Sequence, residues 1–487
     1  MNLQQKAAKG VAWSAIENLG TQAIYFVIFL LLARLLGPEV FGLVSLAGIF
    51  ISFMMVFADQ GLSDAIIQRQ ELEPEHLDTA FWTNLIVSIF LTVLTVVAAG
   101  PVASFFKQPQ LTTVICWLSL NFLFSSFSSV QQALLRRQFA FKALAVRSLL
   151  SLAIGGIVGV TMAYLGFGVW SLVGQQLVNR FTGGLVLWWS SDWRPKFRFS
   201  AKHFQELFSF GINVLGGSIL AFFSIRSDDF LIGYFLGPVA LGYYTVAYRL
   251  LVALTQILST TIRQVAFPMF SRLQQETQQL QQAFFSATQL VSFITFPTCL
   301  GLAVLAPEVI QSLFGQQWVP SIPVMRILAF SGITHSMMTL SGLVVISMGK
   351  PAWNLGLLFL NTAINVIAFL VVVRWGIVAV AASFVLRDYL LSPVQFWLLH
   401  KLIRLNFLKY FYQFVAPVGA SLVMVATVLV AKQFLSDILN PQLLLLVCAI
   451  CGATFYIASI MLFAPKLIRQ LIQLANLGVG NSQPKKT

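Results

Sequence analysis

The chain has 487 residues and a formal net charge of +14, yet only 9% of its residues are charged and 58% are hydrophobic, with a mean hydropathy of +0.84. Soluble domains carry about 25% charged residues, so this composition excludes a water-soluble globule. The positive charge is spread over many short segments rather than gathered into a patch, which argues against a nucleic-acid partner and for anionic lipid headgroups as its neighbours.

In chain order, apolar runs of the roughly 20 residues needed to cross a bilayer centre near Ile24, Phe50, Ser88, Phe122, Gly155, Gly174 and Leu220. They continue near Val252, Phe293, Gly332, Phe359, Phe384, Leu422 and Cys451. Hydrocarbon offers the backbone no hydrogen-bond partner, so such spans must be helices. The expected fold class is therefore an all-α integral membrane protein of about fourteen transmembrane helices. The first run is longer than a signal-peptide core and no small-residue cleavage pattern follows it, so it is expected to stay as a helix. The longest polar stretches, 66–79, 190–205 and 271–283, read as surface connections. With the N-terminus placed in the cytoplasm, 21 Lys and Arg residues fall in inside segments and 4 (Arg34, Lys107, Arg374, Lys432) in outside ones. The positive-inside rule then puts both termini in the cytoplasm.

The chain also repeats itself. Leu36-Gly37-Pro38 with Gly42 and Ala47 returns as Leu236-Gly237-Pro238 with Gly242 and Ala247. Gln176 and Arg180 return as Ser383 and Arg387 with the same spacing. A doubled unit in so apolar a chain points to a transporter with two matching lobes around a central pathway. The expected organisation is an N-terminal lobe over 1–200, a C-terminal lobe over 201–405, an unpaired span pair over 406–470 and a polar tail over 471–487. Both Leu-Gly-Pro copies are expected at outer-face turns, as scaffold.

Charges inside apolar runs cost at least about 2.5–3.5 kcal/mol each, which makes them candidate functional groups. Arg226, Asp228, Asp229 and Arg249 fall at similar depth in two neighbouring spans. They are read either as an internal ion-pair network or as ligands for an anionic cargo, Arg being suited to pyrophosphate by its planar fork. Gln176 and Arg180 share a helix face, and Arg180 with Arg387 forms a pseudo-symmetric pair directed at the cavity or capped within each lobe. Pairing of Arg387 with the adjacent Asp388 is not expected, because adjacent helical residues do not face each other. Glu17, Asp59 and Asp64, nearer the span ends, read as polar anchors at the membrane surface, as a gate between lobes or as ion-coupling groups. Pro297, Pro393 and Pro417 lie within spans, where they can kink a helix.

The elements Ala33-Arg34-Leu35-Leu36-Gly37-Pro38, Ala58-Asp59-Gln60-Gly61-Leu62 and Ile67-Gln68-Arg69 resemble those of polysaccharide-unit flippases of the MOP exporter superfamily. So do Asp229 to Pro238 and Leu241-Gly242-Tyr243-Tyr244 with Ala247-Tyr248-Arg249-Leu250. The resemblance implies alternating access around a central cavity. It also implies an undecaprenyl-pyrophosphate-linked oligosaccharide as substrate, moved from the cytoplasmic to the outer leaflet of a bacterial inner membrane. A polysaccharide polymerase and export machinery are the implied protein partners. A cation-coupled multidrug exporter of the same superfamily is the alternative.

No enzymatic machinery is expected: no nucleophile–base or paired-carboxylate arrangement with an aqueous pocket appears. The outer loops are too short for a glycan polymerase or ligase. Neither cofactor nor metal is expected, since Cys116, Cys299, Cys448 and Cys451 lack a second ligand pair and His76, His203, His335 and His400 are scattered along the chain.

Overall fold

A computed structural model describes the backbone of residues 3–59, 61–338 and 340–463, and the side chains of all these except 3–9, 11, 59, 207–214 and 255–265. Among the described residues every regular element is a helix. The first group is α1 Leu3–Leu35, α2 Pro38–Asp59, α3 Leu62–Gln68, α4 Pro74–Phe105, α5 Gln110–Leu118, α6 Leu120–Arg137, α7 Phe141–Tyr164 and α8 Val169–Ser190. Then come α9 Ala201–Arg272, α10 Thr277–Val304, α11 Ala306–Val309, α12 Ser321–Ala329, α13 Ser331–Met338 and α14 Ser341–Ser347. The series ends with α15 Pro351–Val372, α16 Ile377–Ile403, α17 Phe407–Leu435 and α18 Pro441–Phe463.

Helix α4 is built inside out relative to a helix of a soluble protein. On α4 the exposed side is Ile86, Phe90, Val93 and Val97, while Asn84, Ser88, Leu91, Thr95, Ala99 and Ala103 are buried. Both series step by three or four residues, so each is one helix face. Large apolar groups outside and small or polar ones inside are what a lipid solvent selects, because hydrocarbon gives no drive to bury Leu or Phe. Hydroxyls inside the bundle are satisfied locally: Thr83 donates to the Thr79 carbonyl at 2.7 Å, and Ser292 to that of Thr288 at 2.8 Å. The chain is a multi-pass membrane protein.

Among the described residues, twelve segments are long and apolar enough to cross a membrane. The two further passes of the sequence reading fall on segments that this criterion treats differently. Helix α8 has the length, but Gln175, Gln176, Asn179 and Arg180 make it less apolar. Leu215–Leu254 counts once although Gly237, at φ 84° and ψ 179°, breaks the 72-residue α9 into two helices. That backbone geometry is open to glycine and costly for other residues. Helices α10, α16 and α17 continue through Pro297, Pro393 and Pro417.

Two compact units form, one of Met1–Arg249 with Leu355–Ser383, the other of Leu250–Asn354 with Phe384–Thr487. The sequence repeat divides the chain differently, at residue 200. In the first unit the two copies of the Leu-Gly-Pro motif pack on one another. A Cβ at Gly42 would lie 1.7 Å from the Pro238 carbonyl oxygen, and one at Gly242 would lie 2.0 Å from that of Pro38. This reciprocal backbone approach explains why both copies carry glycine four residues after the proline. In the second unit Phe270, Phe284, Phe296, Phe396, Tyr410 and Phe414 form an aromatic core. The Tyr410 hydroxyl donates to the Met337 carbonyl at 2.7 Å.

Candidate functional site

Small residues set the geometry of the first unit's interior. Gly155 and Gly159, one turn apart on α7, lie against α8: a Cβ on either would come within 2.8 Å of Gln175 atoms. A Cβ on Gly156 would meet Ile28 of α1 at 2.0 Å. Close helix approach through small residues spaced by four is a common membrane packing mode. It fixes the heights of the polar groups that α7 and α8 present.

Two cavities lie beside this packing and share Ser52, Met55 and Arg180. The larger, about 520 Å³, is lined by Asp64, Asn84, Ser88, Ser125, Ser126, Ser129, Gln132, Arg136 and Arg180 among others. The smaller, about 450 Å³, adds Thr21, Asn121, Arg147, Ser148, Ser151, Gln176 and Asn179. Three guanidinium groups thus line two neighbouring cavities. Among the described residues none of the three has a carboxylate within 4.0 Å. Several lining atoms also lack partners among the described residues: Asn84 Oδ1, Ser88 Oγ, Asn121 Oδ1 and Arg147 Nε are buried without a hydrogen bond there. Leaving such a group unsatisfied costs about 1–3 kcal/mol, so the lining favours water or a polar cargo. Arg137, next to Arg136, is structural: its guanidinium donates to the carbonyls of Ile66 at 3.0 Å, Gln70 at 2.9 Å and Arg69. It thereby caps the end of α3.

The residues singled out from the sequence are placed as follows. Arg180, Gln176 and Asp64 line the cavities. Glu17 accepts a 2.6 Å hydrogen bond from Ser148, a lining residue. The Asp59 side chain lies outside the described residues. Arg226, Asp228, Asp229 and Arg249 line neither cavity and meet partners within their own unit. Arg226 pairs with Asp229 at 3.0 Å, the Tyr244 hydroxyl donates to Asp228 Oδ2 at 2.8 Å, and the Asp229 N–H donates to Asp228 Oδ1 at 2.9 Å. Arg249 donates to the Tyr25 hydroxyl at 3.3 Å.

Arg387 corrects an expectation. It pairs with the adjacent Asp388 at 2.5 Å, contrary to the reading that neighbours on a helix cannot meet. The guanidinium lies 4.7 Å from the Phe384 ring, one turn earlier, and folds back along the helix. Both side chains are largely shielded, where an unpaired charge is costly enough to override the helix geometry. Arg180 and Arg387, equivalent in the repeat, therefore differ: one lines open space and the other is paired.

Sequence reasoning missed Arg136 and Arg147, which were counted among inside segments. A signal existed. Ser125, Ser129, Gln132 and Arg136 step by four, three and four along α6, and Arg147, Ser151, Gly155 and Gly159 step by four along α7. Each series is a single helix face.

Fold and cavity together define a multi-pass helical membrane protein with polar, arginine-lined space inside one unit. More particularly, the chain belongs to the polysaccharide biosynthesis protein family, whose model matches residues 31–323. It is 29% identical to the succinoglycan biosynthesis transport protein ExoT of Rhizobium meliloti (strain 1021), over 98% of this chain and 97% of that one. It is 24% identical to the teichuronic acid biosynthesis protein TuaB of Bacillus subtilis (strain 168), over 85% of this chain and 87% of that one. Its fold is similar to the lipid II flippase MurJ in an inward closed conformation, with a TM-score of 0.76 at 14% identity, covering 94% of this chain and 100% of that one.

Proposed function

We propose that this protein is a flippase that moves an undecaprenyl-pyrophosphate-linked oligosaccharide from the cytoplasmic to the outer leaflet of a bacterial inner membrane, both of its termini being cytoplasmic. It acts without chemical conversion of its cargo, and supplies a polysaccharide polymerase and export machinery on the far side. The observation that carries this reading is the set Arg136, Arg147 and Arg180 on two neighbouring cavities, with no carboxylate within 4.0 Å of any of them among the described residues. Guanidinium groups without a carboxylate within 4.0 Å, lining solvent-accessible cavities, suit a pyrophosphate, which each can hold through two parallel hydrogen bonds. The serine hydroxyls and the Asn121, Asn179 and Gln176 amides around them suit sugar hydroxyls. Asp64 and Glu17, beside the same space, are the groups we assign to gating or ion coupling.

Translocation then needs only alternating access, with the two sequence-related lobes, 1–200 and 201–405, exposing the cavity to either side in turn. The prenyl chain stays in lipid, and the additional pair α17 and α18 offers it a surface. Leu445, Leu446, Ala449 and Ile450 of α18 line an apolar hollow of about 540 Å³. In this reading Arg226, Asp228, Asp229, Arg249 and Arg387 hold their own elements together in the resting state and become available to cargo only if their pairs open.

The test is transport in reconstituted vesicles. A fluorescent prenyl-pyrophosphate glycan should reach the opposite leaflet with its covalent structure unchanged, and Arg180→Ala should slow it. New glycosidic bonds in the product would make the protein a polymerase or ligase. Movement of small cationic dyes with no movement of the glycan would make it a multidrug exporter.

A further inference from the structure

His76 and His203 are far apart in the sequence, and the fold sets their rings 4.1 Å apart between centroids. Glu73 joins them. It is the N-cap of α4, its backbone carbonyl accepts from the His76 N–H at 3.1 Å, and its Oε2 lies 3.2 Å from His203 Nε2. One ligand atom from each of Glu73, His76 and His203 can be chosen so that all lie within 4.8 Å of one another. We propose that these three residues form a binding site for a divalent transition metal of the zinc class.

The donor set is two imidazoles and one carboxylate, which suits Zn²⁺ with a fourth position left to water. Each ligand is held in place before any ion arrives. The segment carrying His203 is fastened to α4 by the Lys196 N–H donating to Asp78 at 3.0 Å and the Ser200 N–H donating to Thr79 Oγ1 at 3.2 Å. His76 is fully buried and held through both ring nitrogens: Nδ1 accepts from the Glu73 N–H, and Nε2 lies against Glu206 Oε2, each at 3.2 Å. An ion on Nδ1 replaces the contact to the Glu73 N–H, and the contact of Nε2 to Glu206 keeps the ring oriented. Glu206 is itself anchored by Arg69 at 2.6 Å. A carboxylate behind a histidine ligand is the usual outer support of a zinc site.

Two further observations favour a ligand over a plain polar cluster. The Nδ1 of His203 is buried and has no hydrogen-bond partner among the described residues, so one nitrogen of that ring has bonding capacity they leave unused. The Glu73 side chain is 64% exposed, which gives an ion a route in from solvent. A bound metal would clip the Pro74 end of α4 to the Ala201 end of α9. This site is separate from the arginine-lined cavity and does not depend on the flippase reading.

The experiment uses the full-length protein in detergent, stripped with a chelator and titrated with Zn²⁺, with Co²⁺ as a spectroscopic substitute. One ion per chain should bind, and Co²⁺ should give the intense visible bands of four-coordinate geometry. Affinity should fall at least about tenfold in His203→Ala and in Glu73→Gln, and by about tenfold in Glu206→Gln, the range seen for outer supports of metal sites. His335→Ala and His400→Ala should leave binding unchanged. Should His203→Ala fail to insert, His203→Asn keeps a polar side chain of similar size and should lose affinity in the same way. Absence of saturable Zn²⁺ binding overturns the proposal. So does binding that survives both His203→Asn and Glu73→Gln, or a weak six-coordinate Co²⁺ spectrum.

Discussion

Two regions of the first unit carry the same kinds of charge in opposite states. Around Asp228 the carboxylates meet Arg226, Tyr244 and a backbone N–H within 3.0 Å. In the cavity, Arg136, Arg147 and Arg180 line open space with no carboxylate partner among the described residues. Charge in an apolar run is therefore a poor guide to function by itself. What separates a fastener from a binding group is whether the fold supplies the counter-charge or leaves it to the cargo.

The largest expected effect tests the cavity side. Charge-assisted hydrogen bonds contribute about 1.5–3 kcal/mol each, so Arg147→Ala combined with Arg180→Ala should slow glycan transport by about a hundredfold or more. Membrane insertion and melting temperature should stay near wild type. Normal transport by this double variant would break the comparison from the cavity side.

Next comes the geometry that holds those arginines. Gly155→Leu places a side chain where even a Cβ would come within 2.8 Å of the Gln175 carbonyl oxygen. Overpacking of this kind costs about 1–3 kcal/mol. It should lower the melting temperature and slow transport together, because α7 and α8 must separate. A variant that melts normally would show that the two helices are not in close contact.

On the other side, Asp228→Ala leaves the Tyr244 hydroxyl buried without its acceptor, at a cost of about 1–3 kcal/mol. Thermal unfolding in detergent should report this loss, while transport per folded molecule stays unchanged. The reverse outcome, normal melting with abolished transport, would move the cluster into the functional site. The smallest effect belongs to Arg226→Gln. That side chain is 37% exposed, and a partly exposed ion pair contributes about 0.5 kcal/mol or less, so the melting curve should barely move.

Much of this was legible in the sequence. The helical membrane class follows from the length and apolarity of the runs, and the Leu-Gly-Pro repeat marked two segments that pack on each other. Gln176 and Arg180 were found because the repeat drew attention to their spacing. Arg136 and Arg147 were missed because a count of inside cations treats every arginine near a span end as a loop residue. The polar faces of α6 and α7 that carry them were visible only to a reading by helix face. The pairing of Arg387 with Asp388 was misjudged because helix geometry alone ignores how strongly a shielded charge seeks a partner.

By itself the sequence determined the solvent and the secondary structure. A chain this poor in charge must lie in lipid, and in lipid the backbone has no choice but helix. The sequence also carries the repeated Leu-Gly-Pro segments, whose spacing leads us to propose a doubled unit. Only the tertiary structure decided which charges are compensated, because ion pairs and cavities depend on which helix faces meet. It alone brought His76 to His203 and set Gly42 against Pro238. Contacts between distant segments are fixed by packing, and packing is a property of the whole fold rather than of any window along the chain.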